Sequence, residues 1–353
     1  MIETTESLIL HLEKHDPPGG APLCAVDTEA NSLHRYREAL CLVQFAAGGE
    51  SVLIDPLAIE DLTPLGDYLE KATVWMHGAD YDMTMFRREF GRLPAVVYDT
   101  QIGARLLGVR RFGLGDLVSF YFGVELSKSS QKANWGRRPL SPKMIEYALN
   151  DVDYLLEMGG IVSGKLRELE RWDWFVESCE TARQKVLERD ETKEEMWRIR
   201  GSGKLDRRGL ACLRALWEWR DAEAEAWDRP SFMVLPNREL LEWCDDLVSG
   251  KPVSLPRHFR QDRVMRFRSA VAALEALPPE QWPERNIIKR RKHDRNFERR
   301  VEELLKRREK VARKLDIEGS LIAPRAALES LAAGEGEAGE LLMRWQRECL
   351  GLD

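Results

Sequence analysis

Two rhythms of apolar and polar residues divide the chain. Up to about residue 170, short apolar runs bounded by turn-forming residues alternate with stretches where apolar side chains recur every three or four positions. PLCAVDTE (22–29) has the look of a buried strand. LCLVQFA (40–46) and SVLIDP (51–56), parted only by AGGE, predict an antiparallel hairpin. Thr63-Pro64 opens a helix with a cap and a proline at its first position. ATVWMHGA (72–79) predicts a further strand, followed by a helix over YDMTMFRREFG (81–91) that Gly91 stops. VVYDTQIGARLLG (96–108) predicts a short strand and then a helix for Asp99 to cap, and Ser141-Pro142 starts one long helix through IEYALNDVDYLLEM. Strands and helices in this order predict an α/β domain with a mixed sheet flanked by helices, with ligands expected at the carboxyl ends of its strands.

Beyond residue 170 the strand rhythm disappears. Leu210, Leu213, Leu216 and Trp217 fall at helical spacing, proline-rich breaks follow at 230–236, 252–256 and 278–283, and Phe297, Val301, Leu304, Leu305 and Leu315 make one apolar helical face. The resulting division is an α/β domain over 1–170, a helical linker over 171–203, and two small all-α units over 204–282 and 285–353, with GEGEAGE (334–340) as a loop.

Composition narrows the class. With 353 residues, 43% hydrophobic and 32% charged, the chain is long enough for two or three folded domains. No apolar run approaches the ~20 residues that span a bilayer, and the amphipathic, acidic start MIETTESLILHLEKH is unlike a signal peptide. The six cysteines are scattered without pairing rhythm, as expected of reduced residues in a cytoplasmic protein. The net charge of −6 argues against a nucleic-acid partner until its distribution is considered. Residues 284–314 hold 14 Lys/Arg against six Asp/Glu, a local +8 on a remainder of −14. Such a block is either a phosphate footprint or a solvated helix with salt-bridged faces.

Candidate chemistry lies in the acids at element ends. Asp27 and Glu29, one residue apart on a strand, share a face and repel each other. HGADYDM, where a strand gives way to a helix, offers His77, Asp80 and Asp82, and Tyr147 and Asp151 share a helix face four residues apart. Singly these are ordinary: a solvated turn, a charge at a helix N-terminus, a surface hydrogen bond. Together they form a set of hard carboxylate oxygens suited to Mg²⁺ or Mn²⁺.

Asp27-Thr28-Glu29, His77-x₄-Asp82 followed by Tyr98-Asp99-Thr100-Gln101, and Tyr147-x₃-Asp151 resemble the three exonuclease motifs of the DEDD superfamily, in its tyrosine-containing subgroup. LSKSSQKANWGRRPLSPKMIEYALNDVDYL (126–155) is similar to ribonuclease D, EMWRIRGSGKLDRRGLACLRALWEWRDAEAE (195–225) to the entry of its HRDC domain, and the tail from about 285 to its second, more divergent HRDC-like unit. The resemblance implies a ribonuclease-H-like sheet followed by HRDC-type domains. It also implies a 3′-5′ exoribonuclease that uses two divalent cations, Mg²⁺ or Mn²⁺, to release nucleoside 5′-monophosphates. The implied substrates are single-stranded 3′ ends of RNA such as tRNA precursors, acted on by a monomer. Asp27 is implied to bridge both ions, Glu29 and Asp151 to hold the ion that activates water, Asp82 to support the other, and Tyr147 to position the attacking water. His77, Lys128, Gln131 and Arg138 are implied substrate contacts, and Trp135 is either another or the hydrophobic anchor of its loop.

The chain departs from the family pattern at Ala30-Asn31, where an aromatic residue is usual, and at KANW (132–135). A DNA exonuclease of repair and a non-catalytic RNA-binding protein are the alternatives. All five core residues are present, which argues against the latter. In the helical units, Trp217, Trp219, Trp227 and Trp243 are expected in the core rather than as base-stacking platforms.

Overall fold

The structure, a computed structural model, describes residues 1–127, 129–189, 195–285 and 295–352. It divides into two compact units, one of Met1–Ala30, Leu40–Arg189 and Arg291–Asp353, the other of Asn31–Ala39 and Asp190–Arg290.

The first unit is built on a five-stranded sheet of order β3-β2-β1-β4-β5. Its strands are β1 (Leu23–Ala30), β2 (Leu40–Ala47), β3 (Glu50–Ile54), β4 (Thr73–Met76) and β5 (Val96–Asp99). β2 and β3 run antiparallel, as the hairpin pattern predicts, and β1 runs antiparallel to β2, whereas β1, β4 and β5 are parallel. β1 is therefore where the sheet changes sense, and the carboxyl ends of parallel strands at such a point frame a natural ligand crevice.

Side-chain alternation assigns the two faces. Cys24, Val26, Val74 and Met76 point into a core with Leu8 and Leu12 of α1 (Thr5–Lys14), Leu65 and Leu69 of α2 (Thr63–Lys71) and Phe86 of α3 (Asp80–Phe90). Ala25 and Trp75, one position out of phase, point into a second core with α4 (Thr100–Leu106), α5 (Leu114–Phe122), α7 (Leu155–Glu168) and α8 (Trp172–Glu188). α6 (Pro142–Asp153) lies over Leu42 and Leu53 through Ala148, with Trp135 buried beneath it. The single long helix expected from Ser141 onward is two helices. It opens as predicted, with Ser141 accepting from the Met144 N–H, but breaks at Tyr154, which ends α6 and starts α7.

Two expectations about the domain borders change. Residues 171–203, expected as a linker, supply α8 to the sheet's second core, where Phe175 stacks on Trp75 at 5.9 Å. The Arg87 guanidinium on α3 also donates to the carbonyls of Val186 and Arg189, both at 2.7 Å. The tail does fold into helices, but most of their apolar face packs into the second core of the sheet, and only a small cluster around Phe297, Val301 and Ala332 is their own. Ile317, Ile322, Leu328, Trp345 and Leu350 join the second core, Trp174 and Trp345 stack at 5.0 Å, and Arg171 bonds both Leu106 O and Leu315 O.

The second unit centres on α9 (Arg207–Trp227), with α10 (Ser231–Val234), α11 (Asn237–Val248) and α12 (Gln261–Glu275) packed around Trp219, Trp243 and Phe267. Trp227 departs from the core expectation: it is 48% exposed, with Arg263 over its ring. Residues 31–39 belong to this unit. Tyr36 donates its hydroxyl to Asp221 at 2.8 Å, Arg37 pairs with Glu225, and Asn31 Oδ1 accepts the Ala39 N–H. Asn31, where the chain departs from its family pattern, thus folds this loop. All six cysteines are free, and five are buried. Among the described residues, no helix is long and apolar enough to cross a membrane.

Candidate active site

Asp27 and Glu29 leave β1 on the face occupied by Ala25, towards α6, and Thr28 leaves it on the face of Val26, towards α3. Carboxylate oxygens of Asp27, Glu29 and Asp151 lie within 4.8 Å of one another. Tyr147, one turn before Asp151 on α6, brings its hydroxyl beside the Asp151 carboxylate. Asp82, in the first turn of α3, accepts a 2.5 Å hydrogen bond from the Thr28 hydroxyl. The five residues expected to carry catalysis therefore come from β1, α3 and α6 to one end of the sheet.

Their electrostatics fit a cation site. Asp27 lies well above the ordinary carboxylate range, because burial disfavours its charge and Asp82, Asp151 and Glu29 repel it. Glu29 is pushed up to about 9 by burial and then by Asp151 and Asp82. Asp82 and Asp151 are each raised to about 7, chiefly by burial. The Tyr147 hydroxyl is raised by burial and by the charges of Asp151, Glu29 and Asp27. So many acids cannot all ionise near neutral pH without positive charge among them. An all-oxygen donor set selects a hard divalent cation.

Surrounding groups hold the acids in place. Asp99 caps α4 by accepting the Gln101 N–H at 2.8 Å, as the sequence suggests. It also accepts the N–H groups of Gly78 and Ala79, fixing the turn that launches α3 and Asp82. Gly78 takes φ +69° there, a left-handed conformation that glycine adopts without strain. His77 Nδ1 lies 2.9 Å from the Thr100 hydroxyl, which itself donates to Met76 O. The hydroxyl proton being engaged, His77 Nδ1 is the donor and Nε2 carries the lone pair; burial holds the ring below its ordinary pKa. Gln44 directly opposes Asp27 on β2, fully buried, and neither polar atom of its side chain has a hydrogen-bond partner among the described residues. The one sequence signal for it was a polar residue inside the apolar run LCLVQFA.

The expected substrate contacts divide. Gln131 is exposed on the loop before α6, and Lys128 lies outside the described residues. Arg138 does not take the phosphate-binding role expected of it. All five of its N–H groups are engaged within the chain: two on Asp55, two on the carbonyls of Trp135 and Arg137, and one on Cys41 O. Trp135 is 1% exposed and is the anchor of this loop. Of the basic block, residues 286–294 lie outside the described residues. On α13 (Arg295–Leu315) Lys306 pairs with Glu302 and Arg308 with Glu309, while Arg300, Arg307 and Arg313 bond carbonyls, which favours the salt-bridged-helix interpretation there.

Comparison with known proteins agrees with this geometry. Residues 2–167 match the 3′-5′ exonuclease family, and residues 209–245 match the HRDC domain. Ribonuclease D of Sphingobium indicum is 32% identical over 348 residues, covering 94% of this chain and 88% of the relative. Ribonuclease D of Zymomonas mobilis is 30% identical, covering 94% and 87%. The crystal structure of Escherichia coli ribonuclease D, described as an exoribonuclease involved in structured RNA processing, superimposes with a TM-score of 0.75 at 26% identity over 99% of this chain and 98% of that one. A sheet that gathers these acids at the end of β1 makes the chain a 3′-5′ exonuclease. The similarity over nearly its whole length then places it, specifically, in the ribonuclease D family of exoribonucleases.

Proposed function

We propose that the chain trims the 3′ ends of structured RNA, tRNA precursors among them, as a cytoplasmic monomer that binds two Mg²⁺ or Mn²⁺ ions. The convergence of Asp27, Glu29 and Asp151 oxygens within 4.8 Å beside Tyr147 supports it most directly. Asp27 would be shared by both ions, with Glu29 and Asp151 on one and Asp82 on the other. When bound, the ions stabilise the attacking and leaving oxygens of the terminal phosphodiester. Tyr147 stays protonated and orients the attacking water through its hydroxyl, since its raised pKa makes it a poor base near neutral pH. His77 Nε2, with its lone pair free to accept, faces the substrate's sugar hydroxyls.

Purified protein incubated with 5′-labelled RNA and matched DNA, in Mg²⁺, Mn²⁺ or EDTA, tests this. A stepwise ladder on RNA that vanishes with EDTA and with Asp27→Asn is the expected result. Activity that survives EDTA, cleavage starting internally, or equal degradation of DNA would overturn the metal requirement, the exonucleolytic polarity or the RNA preference, respectively.

A further inference from the structure

A second group of ligand-type side chains lies in the same unit and shares no residue with the active site. His11 lies in the last turn of α1 and His15 caps its C-terminus four residues on, and Glu50 is the first residue of β3. One ligand atom from each of the three lies within 4.8 Å of the others. The His15 side chain is only 8% exposed, and its Nε2, 3.7 Å from Glu50 Oε2, has no hydrogen-bond partner among the described residues. His11 Nε2 is likewise buried without a partner. Two imidazole nitrogens withdrawn from water and left unbonded are a standing cost to the fold unless something binds them.

The rings are also held in position. Their centroids are 4.9 Å apart, and Phe45 packs edge-on against His11 at 5.6 Å. The Tyr68 hydroxyl donates to His15 O at 3.1 Å, at the end of the helix. In the β2–β3 turn, Gly48 has φ +58°, and a Cβ there would lie 2.9 Å from His15 Cε1 and Nδ1, so the turn is shaped to admit the ring.

We propose that His11, His15 and Glu50 form a binding site for a divalent transition-metal ion of the zinc class, held by two imidazole nitrogens and one carboxylate oxygen. Mixed nitrogen and oxygen donors suit Zn²⁺, whereas Mg²⁺ prefers oxygen alone. Tetrahedral Zn²⁺ places its ligand atoms roughly 3.4 Å apart, so modest side-chain movements complete the site. Lys14 Nζ now contacts both Glu50 oxygens, at 2.6 and 2.7 Å, and neutralises the carboxylate. Its side chain is 56% exposed and has room to swing away when a metal competes for Glu50. A metal here would clamp α1 to the β2–β3 turn, which makes its role structural rather than catalytic.

The test uses the full chain carrying Asp27→Asn and Asp151→Asn, which weaken the catalytic centre, stripped with a chelator and titrated with Zn²⁺ alone. Equilibrium dialysis is expected to find one tightly held equivalent, with a rise in Tm on binding. Exposed Glu50→Gln, chosen because it leaves the packing intact, weakens binding by roughly tenfold or more, and so does His11→Gln. Lys14→Gln tightens it by removing the competing ammonium. Co²⁺ in place of Zn²⁺ gives visible bands of a four-coordinate ion that Glu50→Gln diminishes. No retained zinc, or zinc held equally by the parent, Glu50→Gln and His11→Gln, overturns the assignment. In the otherwise native chain, Glu50→Gln leaves Mg²⁺-dependent RNA hydrolysis unchanged.

Discussion

The hydroxyl of Thr28 lies 2.5 Å from Oδ1 of Asp82, with both residues about 95% buried. The middle residue of Asp27-Thr28-Glu29 therefore faces away from its acidic neighbours and orients the carboxylate that comes from α3. Thr28→Val keeps the shape and removes the donor. It is expected to weaken metal dependence or turnover about 10–100-fold, as loss of a partner behind a metal ligand typically does. Thr28→Ser should retain most of both. A Mg²⁺ titration of RNA hydrolysis that is unchanged in Thr28→Val would show the contact to be incidental.

Stability of the metal-free chain should fall as pH rises. Glu29 is raised to about 9 in the fold, and Asp82 and Asp151 to about 7, above unfolded values of roughly 4. Between those limits the folded state binds more protons than the unfolded one. Its advantage is complete below the unfolded pKa and is lost as pH climbs through about 7 and then about 9. Melting curves in chelator are expected to show Tm declining from about pH 5 to about pH 9, with saturating Mg²⁺ flattening the decline. Asp27→Asn should raise Tm of the metal-free protein at alkaline pH while abolishing hydrolysis. Superimposable profiles with and without Mg²⁺ would contradict the electrostatics of the site.

Tyr147→Phe keeps the ring packed near Trp135, 6.0 Å away, and deletes the hydroxyl that contacts Asp151. Turnover is expected to drop on the order of 10²-fold with little change in KM. Since the hydroxyl remains protonated, the native enzyme's rate should show no limb from tyrosine ionisation in the mildly alkaline range. A limb there that disappears in Tyr147→Phe would identify Tyr147 as a base instead.

Arg138→Gln should act on folding rather than on RNA. Asp55 is 2% exposed, and the Arg138 guanidinium is its cationic partner. Removing one member of such a pair leaves a buried charge uncompensated, at a cost of about 3–5 kcal/mol. Denaturant unfolding should register the loss, and the salt dependence of RNA binding should stay as it was. A reduced salt slope with unaltered stability would restore Arg138 to the phosphate contacts.

How far each feature could be foreseen depended on how local its cause is. Asp27 and Glu29 announced themselves because strand periodicity puts them on one face, and Tyr147 and Asp151 because helical periodicity does the same. Asp99 was half legible. Its cap is a neighbour effect, but its grip on Gly78 and Ala79 depends on β4 and β5 lying parallel with Met76 beside Asp99. Arg138 was misjudged since a cation in a loop suggests phosphate, whereas its partner Asp55 lies 83 positions earlier. Nothing in the stretch around Tyr154, with neither proline nor glycine beside it, marks the break between α6 and α7. Apolar periodicity likewise shows that α8 and the tail helices bury a face, but not that the face meets the nuclease sheet.

That placement of the tail bears on when the enzyme matures. A polypeptide leaves the ribosome N-terminus first, and the four carboxylates of the candidate site, Asp27, Glu29, Asp82 and Asp151, all precede the tail helices. The core beneath them takes in Trp345 and Leu350, which are made long after Asp151. A nascent chain thus bears the acids on an unfinished platform until those residues have followed. The nuclease unit closes only once Trp345 and Leu350 have been made, so a product terminated before them lacks part of the support on which RNA cleavage depends.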